Sequence, residues 1–254
     1  MSRETPRQPR SASLQLTLEL AAEPGFEREN FVVSGSNEQA YAMIELWPGW
    51  PDPMLLVLGP KGSGKSHLGT IWAAIAKAAI QPAASLAAAD IDALASAGPL
   101  LLEDADAIGE SEARLFHLVN LMRERDTALV ITAKAPPDAW GLRTADLLSR
   151  LRLAPAVALG PPDDALMRAV LVKLLVERQL VVDTNVVGYI ALRLERSLDA
   201  ARAFIDALDR EALARQRRIS RAMAADVLRS IEGGEEEAFM PEESDSSSSR
   251  ADRR

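Results

Sequence analysis

The chain has 254 residues, of which 48% are hydrophobic and 26% are charged, a balance typical of globular proteins with a sizeable core. It contains no cysteine and only two histidines, His67 and His117, which excludes a disulfide framework and a cysteine nucleophile and argues against a zinc centre. The net charge is −8, and residues 232–254 contribute much of it. Because no signal peptide or apolar stretch of membrane-spanning length is present, we expect a soluble, cytoplasmic protein without membrane contact.

The first 50 residues predict an arm followed by one helix. Residues 1–24 are polar, apart from residues 14–20, which alternate apolar and polar side chains. No partner strand is predicted nearby in the sequence. We therefore expect a flexible arm, which is either held in place by another molecule or not held at all. Ser36 and Gln39 have the spacing of a capping box and predict a helix over about residues 37–47.

A phosphate-binding pattern follows the first predicted strand. The apolar run Met54–Leu58 leads into a sequence that fits G-x-x-x-x-G-K-[ST], and apolar residues at helical spacing then predict a helix from Lys65 to Ile80. Lys65 is expected to reach the β- and γ-phosphates and Ser66 to ligate Mg²⁺. The sequence therefore predicts an ATP or ADP site, and a glycine turn without a ligand is the alternative. The loop residues of this site are Gly59, Pro60, Lys61, Gly62, Ser63, Gly64, Lys65 and Ser66.

A second acidic site is expected at the end of a neighbouring strand. Leu100–Leu102 form an apolar run, and Glu103 and Asp104 follow it, where ligands sit in an open α/β sheet. Both acids are candidate catalytic residues, and Glu103 is also a candidate Mg²⁺ ligand. Since the first acid of this motif is usually Asp, Glu103 predicts altered metal geometry and weak hydrolysis by this chain. The alternative is a helix start capped by Asp104 or Asp106.

The remaining pattern predicts an α/β domain and a helical domain. The strand at residues 128–132 ends at Thr132, whose hydroxyl is either a γ-phosphate sensor or part of a strand-end turn. Another apolar run lies at residues 156–159. Strands that alternate with helices predict a parallel sheet covered by helices on both faces. We assign residues 1–24 to an N-terminal arm and residues 25–162 to a P-loop domain. Residues 163–231 are assigned to an all-helical domain with four helices, and residues 232–254 to a disordered acidic tail.

Residues 210–229 form an arginine-rich stretch, with six arginines and two acids. The sequence alone favours a solvated helix face over a nucleic-acid surface for this stretch.

Nine motifs of the chain form a recognisable series. They are, in order, Phe31-Val32-Val33, Ser36-Asn37, the P-loop with His67-Leu68, Glu103-Asp104, Leu115–Asn120, Ile131-Thr132, Pro136-Pro137, Leu148-Ser149-Arg150 and Gly160–Asp163. Taken together, these motifs resemble the AAA+ core of the DnaA replication initiators over about residues 26–231. The chain is most similar to the Hda-type subfamily of DnaA-related regulators, because we expect no helix-turn-helix domain after Ile231 and because residues 15–20 resemble the peptide Q-L-x-L-x-L that binds the β sliding clamp.

The resemblance implies a P-loop AAA+ fold with a small helical lid. It places Arg150 at the arginine-finger position, with Arg152 as the alternative, and Arg202 at the position of sensor 2. His67 follows the P-loop serine and is included among the nucleotide-site residues. Thr132 and Lys134 lie where the family has an acidic sensor 1 region. The residues implied to bind the clamp are Gln15, Leu16, Leu18 and Leu20.

The implied function is regulatory. A nucleotide-bound protein of this subfamily binds the clamp and promotes hydrolysis of ATP on DnaA, with weak or no ATPase activity of its own. The implied ligands are ADP or ATP and Mg²⁺, and the implied partners are DnaA, the clamp and further AAA+ subunits, without sequence-specific DNA binding. Two alternatives remain: a DnaA-like initiator or helicase loader that acts on DNA, and a small P-loop kinase.

Overall fold

The structure is a computed structural model that describes the backbone of residues 28–238 and the side chains of residues 28–231. The predicted arm with its clamp-binding peptide, and residues 239–254 of the predicted tail, lie outside the described residues. The strands are β1 (Met54–Leu58), β2 (Ala79–Pro82), β3 (Leu100–Glu103), β4 (Leu129–Ala133) and β5 (Ala156–Ala158). The helices are α1 (Glu38–Glu45), α2 (Lys65–Ala76), α3 (Ile91–Ser96), α4 (Glu112–Glu124), α5 (Ala145–Leu153), α6 (Asp164–Glu177), α7 (Thr184–Ala191), α8 (Leu198–Arg215) and α9 (Arg221–Ala238).

The strands form one parallel sheet in the order β2-β3-β4-β1-β5. Alternate side chains of a strand point to opposite faces. Met54 and Leu56 accordingly lie in a core shared with α3, α4 and α5, while Leu55 and Val57 lie in a second core with α1 and α2. The predicted parallel sheet with helices on both faces is therefore confirmed.

Helices α6 to α9 enclose a separate hydrophobic core, which includes Leu171, Ile190, Phe204 and Leu228. The carboxylate of Asp163 caps α6 by accepting a 2.7 Å hydrogen bond from Leu166 N. This helical unit, called the lid below, contacts the P-loop through a hydrogen bond from Leu198 N to Gly62 O.

Some element boundaries differ from the prediction between residues 77 and 96. The predicted end of the helix at Ile80 is wrong, because Lys77 adopts a left-handed conformation with φ of 54° and ends α2 at Ala76. The chain then forms the edge strand β2. Most of its side chains are exposed, so it lacks the apolar run that marked the inner strands. Helix α3, which Asp90 caps through a 3.0 Å bond from Ala93 N, was also not predicted.

The two ends of the described chain differ from the prediction as well. In place of the Ser36–Gln39 capping box, Asn37 Oδ1 accepts from Ser34 N at 2.8 Å and α1 begins at Glu38. Helix α9 continues beyond Ile231 to Ala238. The start of the predicted disordered tail is thus helical over residues 232–238, although Gly233 and Gly234 have poor helix propensity.

Candidate functional site

The P-loop connects the inner strand β1 to α2 and requires glycine at several positions. The N–H of Gly59 donates to Ala133 O at 3.1 Å, and a Cβ on Gly59 would lie 2.6 Å from Leu159 O. Gly62 and Gly64 have φ of 69° and 98°, which side chains disfavour. The loop therefore has the compact backbone that the phosphate-binding pattern predicts, at the N-terminus of α2.

Lys65 lies at the first turn of α2 and is 7% exposed. Its Nζ donates to Pro60 O at 2.8 Å. Burial lowers the pKa of Lys65, an effect that Asp104 and Asp106 oppose and Lys134 reinforces. An ammonium group whose charged form is disfavoured by burial is stabilised when an anion binds beside it, as a nucleotide phosphate would.

The carboxyl end of β3 provides the acids of the site. Glu103 Oε1 is buried and has no hydrogen-bond partner among the described residues, and the same is true of Ser63 Oγ in the P-loop. Buried polar atoms without partners are uncommon, so both fit a site that is completed by a ligand. Asp104 is exposed and left-handed, with φ of 53°. Its side chain forms no cap on the short 3₁₀ helix that follows, contrary to the capping alternative.

These groups fit Mg²⁺ bound together with a nucleotide. The described residues contain no cluster of three or more His, Asp or Glu side chains placed to hold a metal by themselves. Mg²⁺ usually takes one or two protein ligands and completes its shell with phosphate and water. Ser66 and Glu103 are the residues that would hold it here.

Thr132 lies inside β4, which continues to Ala133, so the strand-end turn is not observed. It is 1% exposed, and its Oγ1 accepts from Asp104 N at 3.0 Å. Next to it, Lys134 N donates to Asp106 Oδ1 at 3.0 Å and Lys134 Nζ lies 3.7 Å from Asp106 Oδ2. Sequence reasoning did not identify this pair, which lies beside the P-loop lysine.

The lid contributes the amino end of α8. Leu198 N donates to Gly62 O at 2.8 Å, and a Cβ on Gly62 would lie 2.0 Å from Ser197 Oγ. Ser197 caps α8 by accepting from Ala200 N. Arg202 follows Leu198 by one helical turn and is half-buried. Sequence reasoning selected Arg202 but missed Ser197 and Leu198, although a serine before an apolar helical run is a recognisable cap signal.

His67 packs against an aromatic side chain outside the P-loop. It is 9% exposed, and its ring meets Phe31 edge-on with centroids 5.2 Å apart. Phe31 also stacks on Tyr41 at 5.4 Å. This ring contact places His67 against the segment that leads into α1.

Arg150 and Arg152 lie on α5. The Arg150 side chain is 38% exposed, with Nε 3.6 Å from Asp146 and the guanidinium carbon 5.7 Å from the centre of the Phe116 ring on α4. Arg152 Nε donates to Asp138 Oδ1 at 3.0 Å. These contacts are with α4, α5 and the β4–α5 connection, and none of them is with the P-loop of the same chain.

No protein-family model and no curated protein sequence matches this chain. Solved structures do. Domain III of the Thermotoga maritima replication initiation protein DnaA has a TM-score of 0.70 at 20% identity, over 82% of this chain and 97% of that chain. A DnaA structure with AMPPCP and single-stranded DNA has a TM-score of 0.64 at 20% identity, over 76% and 68%.

The Holliday-junction branch-migration motor RuvB of Thermotoga maritima has a TM-score of 0.63 at 14% identity, over 80% of this chain and 71% of that chain. These likenesses establish a P-loop AAA+ α/β fold. No helix in the described part of the chain is both long and apolar enough to cross a membrane.

Proposed function

We propose that this protein is an AAA+ regulator of replication initiation that binds ADP or ATP with Mg²⁺, docks on the β sliding clamp and promotes hydrolysis of ATP on DnaA. The observation that carries the proposal is the position of Arg150. An arginine finger for a partner's nucleotide must be accessible and remote from the phosphate site of its own chain. Arg150 is part-exposed on α5, and its contacts lie on the flank formed by α4 and α5.

The acidic partners of the two candidate arginines favour Arg150 over Arg152 as the arginine finger. Arg152 is held by Asp138 through a hydrogen bond from Nε, and this acid would have to be displaced before Arg152 reached a partner. Arg150 has a longer ion pair with Asp146 and a contact with the Phe116 ring, and among the described residues its Nε has no hydrogen-bond partner. We therefore assign the trans-acting role to Arg150.

Nucleotide binding is supported by the P-loop, by burial of Lys65 and by the two buried polar atoms without partners, Ser63 Oγ and Glu103 Oε1. The DnaA structure reported above contains AMPPCP. Bound nucleotide would occupy the space between the P-loop and α8, with Lys65 and Arg202 binding phosphate, Thr132 orienting the acidic loop and Asp104 acting on water.

Clamp binding is proposed from the resemblance of residues 15–20. Leu16, Leu18 and Leu20 would fill apolar pockets while Gln15 hydrogen-bonds to the clamp. The sequence next to this alternating segment predicts no strand that would pair with it.

The proposal is tested with DnaA preloaded with ATP. We expect its conversion to ADP to accelerate only when this protein and DNA-loaded clamp are both present. Replacing Gln15, Leu16 and Leu18 with Ala should remove that acceleration but leave nucleotide affinity unchanged. The matched control replaces the intervening residues Thr17 and Glu19 with Ala and should retain activity. Unchanged ATP hydrolysis on DnaA in the presence of the wild-type protein would refute the proposal.

A further inference from the structure

Four arginines lie in or near the turn between α8 and α9, at one end of the lid. Arg217 and Arg218 lie in the turn, Arg221 begins α9, and Arg193 follows α7; all four are exposed. Residues 212–225 contain no acid. These four side chains are called the arginine cluster below.

Two members of the cluster share one aromatic ring. The guanidinium carbons of Arg193 and Arg221 lie 4.0 and 4.5 Å from the centre of the Tyr189 ring. They are therefore at most 8.5 Å apart, the sum of those two distances. Each cation is attracted by the ring, but the two guanidinium groups repel each other.

Arginines near the cluster differ from it in having acidic partners. Arg215 contacts both Glu211 and Asp226, and Arg229 contacts Asp226. Among the described residues, no carboxylate ion pair is found for any member of the arginine cluster. Its positive charge is therefore presented to solvent.

The location of the cluster also carries an electrostatic cost. Helix α9 has no acid in its first turn and begins with Arg221. A cation at a helix N-terminus is disfavoured by the helix dipole. The dipole of α9 at Arg221 and the mutual repulsion of the guanidinium groups therefore remain unfavourable, and an external anion would offset both.

We propose that the arginine cluster is a sequence-independent binding surface for the phosphodiester backbone of duplex nucleic acid. Arginine presents a planar fork of N–H donors that matches phosphate oxygens. Several guanidinium groups within a short distance suit a polymer with about one phosphate per 1.7 Å of duplex axis. Contacts to phosphate carry no sequence information. The inference goes beyond the proposed function and does not require its ATP chemistry.

The test measures binding of the full-length protein to a fluorescent 30-base-pair DNA duplex of arbitrary sequence over a range of salt concentrations. Clamp and DnaA are omitted, so failure here is distinguishable from failure of the proposed function. For the wild type we expect a dissociation constant of about 10⁻⁴ to 10⁻⁶ M near physiological salt. Replacing Arg217, Arg218 and Arg221 with Gln should weaken binding at least about tenfold and lower the salt slope by about 3.

The matched control removes the same charge elsewhere. Arg28, Arg178 and Arg229 are paired with Glu45, Asp206 and Asp226, and replacing all three with Gln should leave most of the binding. A second variant, Arg218→Glu, should weaken binding without touching the Tyr189 ring. Melting temperature and ADP affinity are measured for each variant, and both should be retained.

Three results would overturn the proposal. The first is that the wild type does not bind the duplex even at low salt. The second is that the two triple variants bind the duplex equally well, which indicates that net charge alone determines binding. The third is that the cluster variant keeps duplex binding but loses binding to phosphatidylserine vesicles, which indicates that the cluster binds a lipid surface.

Discussion

The Lys65 side chain is buried, and burial disfavours its charged form. Its pKa is lowered by burial, despite the nearby carboxylates of Asp104 and Asp106. The ammonium group is therefore less stable here than in water, and a bound phosphate should restore the balance. This arrangement links nucleotide binding directly to the stability of the P-loop.

We predict that Lys65→Ala abolishes nucleotide binding without unfolding the sheet. Its melting temperature should resemble that of the nucleotide-free wild type, and it should lose the stabilisation of about 2.7 kcal/mol that ligand at 100 times its dissociation constant provides. Titration calorimetry with ADP and thermal unfolding measure the two effects. Lys61→Ala, an exposed lysine in the same loop, is the control and should bind ADP more tightly than Lys65→Ala. Equal ADP affinity of Lys65→Ala and the wild type would contradict the assignment.

A second residue-scale prediction concerns the contact between the P-loop and the lid. Gly62→Ala places a Cβ 2.0 Å from Ser197 Oγ at a backbone φ of 69°, so the lid must shift away from the loop. We expect lower ADP affinity together with a loss of about 1 to 2 kcal/mol from the left-handed backbone.

The control for Gly62 is Gly141→Ala, because Gly141 has nearly the same φ, 71°, and nothing within 4 Å of its Cβ position. The Gly141→Ala variant should therefore lose only the stability that the left-handed backbone costs, without the effect of a steric contact. If both variants bind ADP equally well, the contact between Gly62 and α8 does not contribute to the nucleotide site.

At the scale of an element, Glu112 holds the entrance to α5, the helix that carries Arg150. Its carboxylate accepts hydrogen bonds from Arg143 N at 2.9 and 3.0 Å and from Thr144 N at 2.6 Å. The bond from Arg143, followed by that from Thr144, lowers the pKa of Glu112. A depressed carboxyl pKa stabilises the fold at neutral pH and loses that effect as the pH falls through the folded-state pKa.

We predict that Glu112→Gln lowers the free energy of unfolding by about 1 kcal/mol at pH 7. The difference from the wild type should shrink below about pH 4, under the ordinary glutamate pKa of about 4.3. Urea unfolding at several pH values measures it. The neighbouring Glu110→Gln, at an exposed site, should show no comparable pH dependence, and a constant difference at all pH values for Glu112→Gln would disprove the role of its charge.

The elements differ in how well their sequences predict them. Strands β1, β3 and β4 are apolar runs because both faces of the sheet are covered, and all three were predicted. Strand β2 is exposed at the sheet edge, and its Ala79-Ile80 continues the apolar spacing of α2. Lys77, in a left-handed conformation, and Ala78 separate the two elements, and lysine is not a residue that marks such a turn.

The residues of the candidate site also differ in how well the sequence predicts them. The P-loop and the acids after β3 are local patterns, and their spacing alone predicted a nucleotide site. The contact between Gly62 and Leu198 joins residues distant in the chain, and it depends on how the lid core packs. A local pattern can mark Ser197 as a helix cap, but no local pattern predicts that this cap contacts the P-loop, which is why Arg202 was placed by resemblance.

At the scale of the whole molecule, hydrogen bonds join the lid to the P-loop domain in more than one place. Beside the phosphate site, Leu198 N donates to Gly62 O. Elsewhere, Lys173 Nζ donates to Asn30 O at 2.8 Å and to Asn30 Oδ1 at 2.6 Å. The candidate nucleotide site and the segment that leads from the arm thus both contact the lid, while Arg150 lies on a separate flank.

The most direct test of the proposed function is the rate of ATP hydrolysis on DnaA with the Arg150→Ala protein and DNA-loaded clamp. Arginine fingers in GTPases contribute factors of about 10³ to 10⁵, so we expect stimulation to fall by at least about tenfold while ADP and clamp binding are retained. Arg152→Ala removes the same charge two residues away and should retain more stimulation. Full stimulation of DnaA by Arg150→Ala would contradict the account.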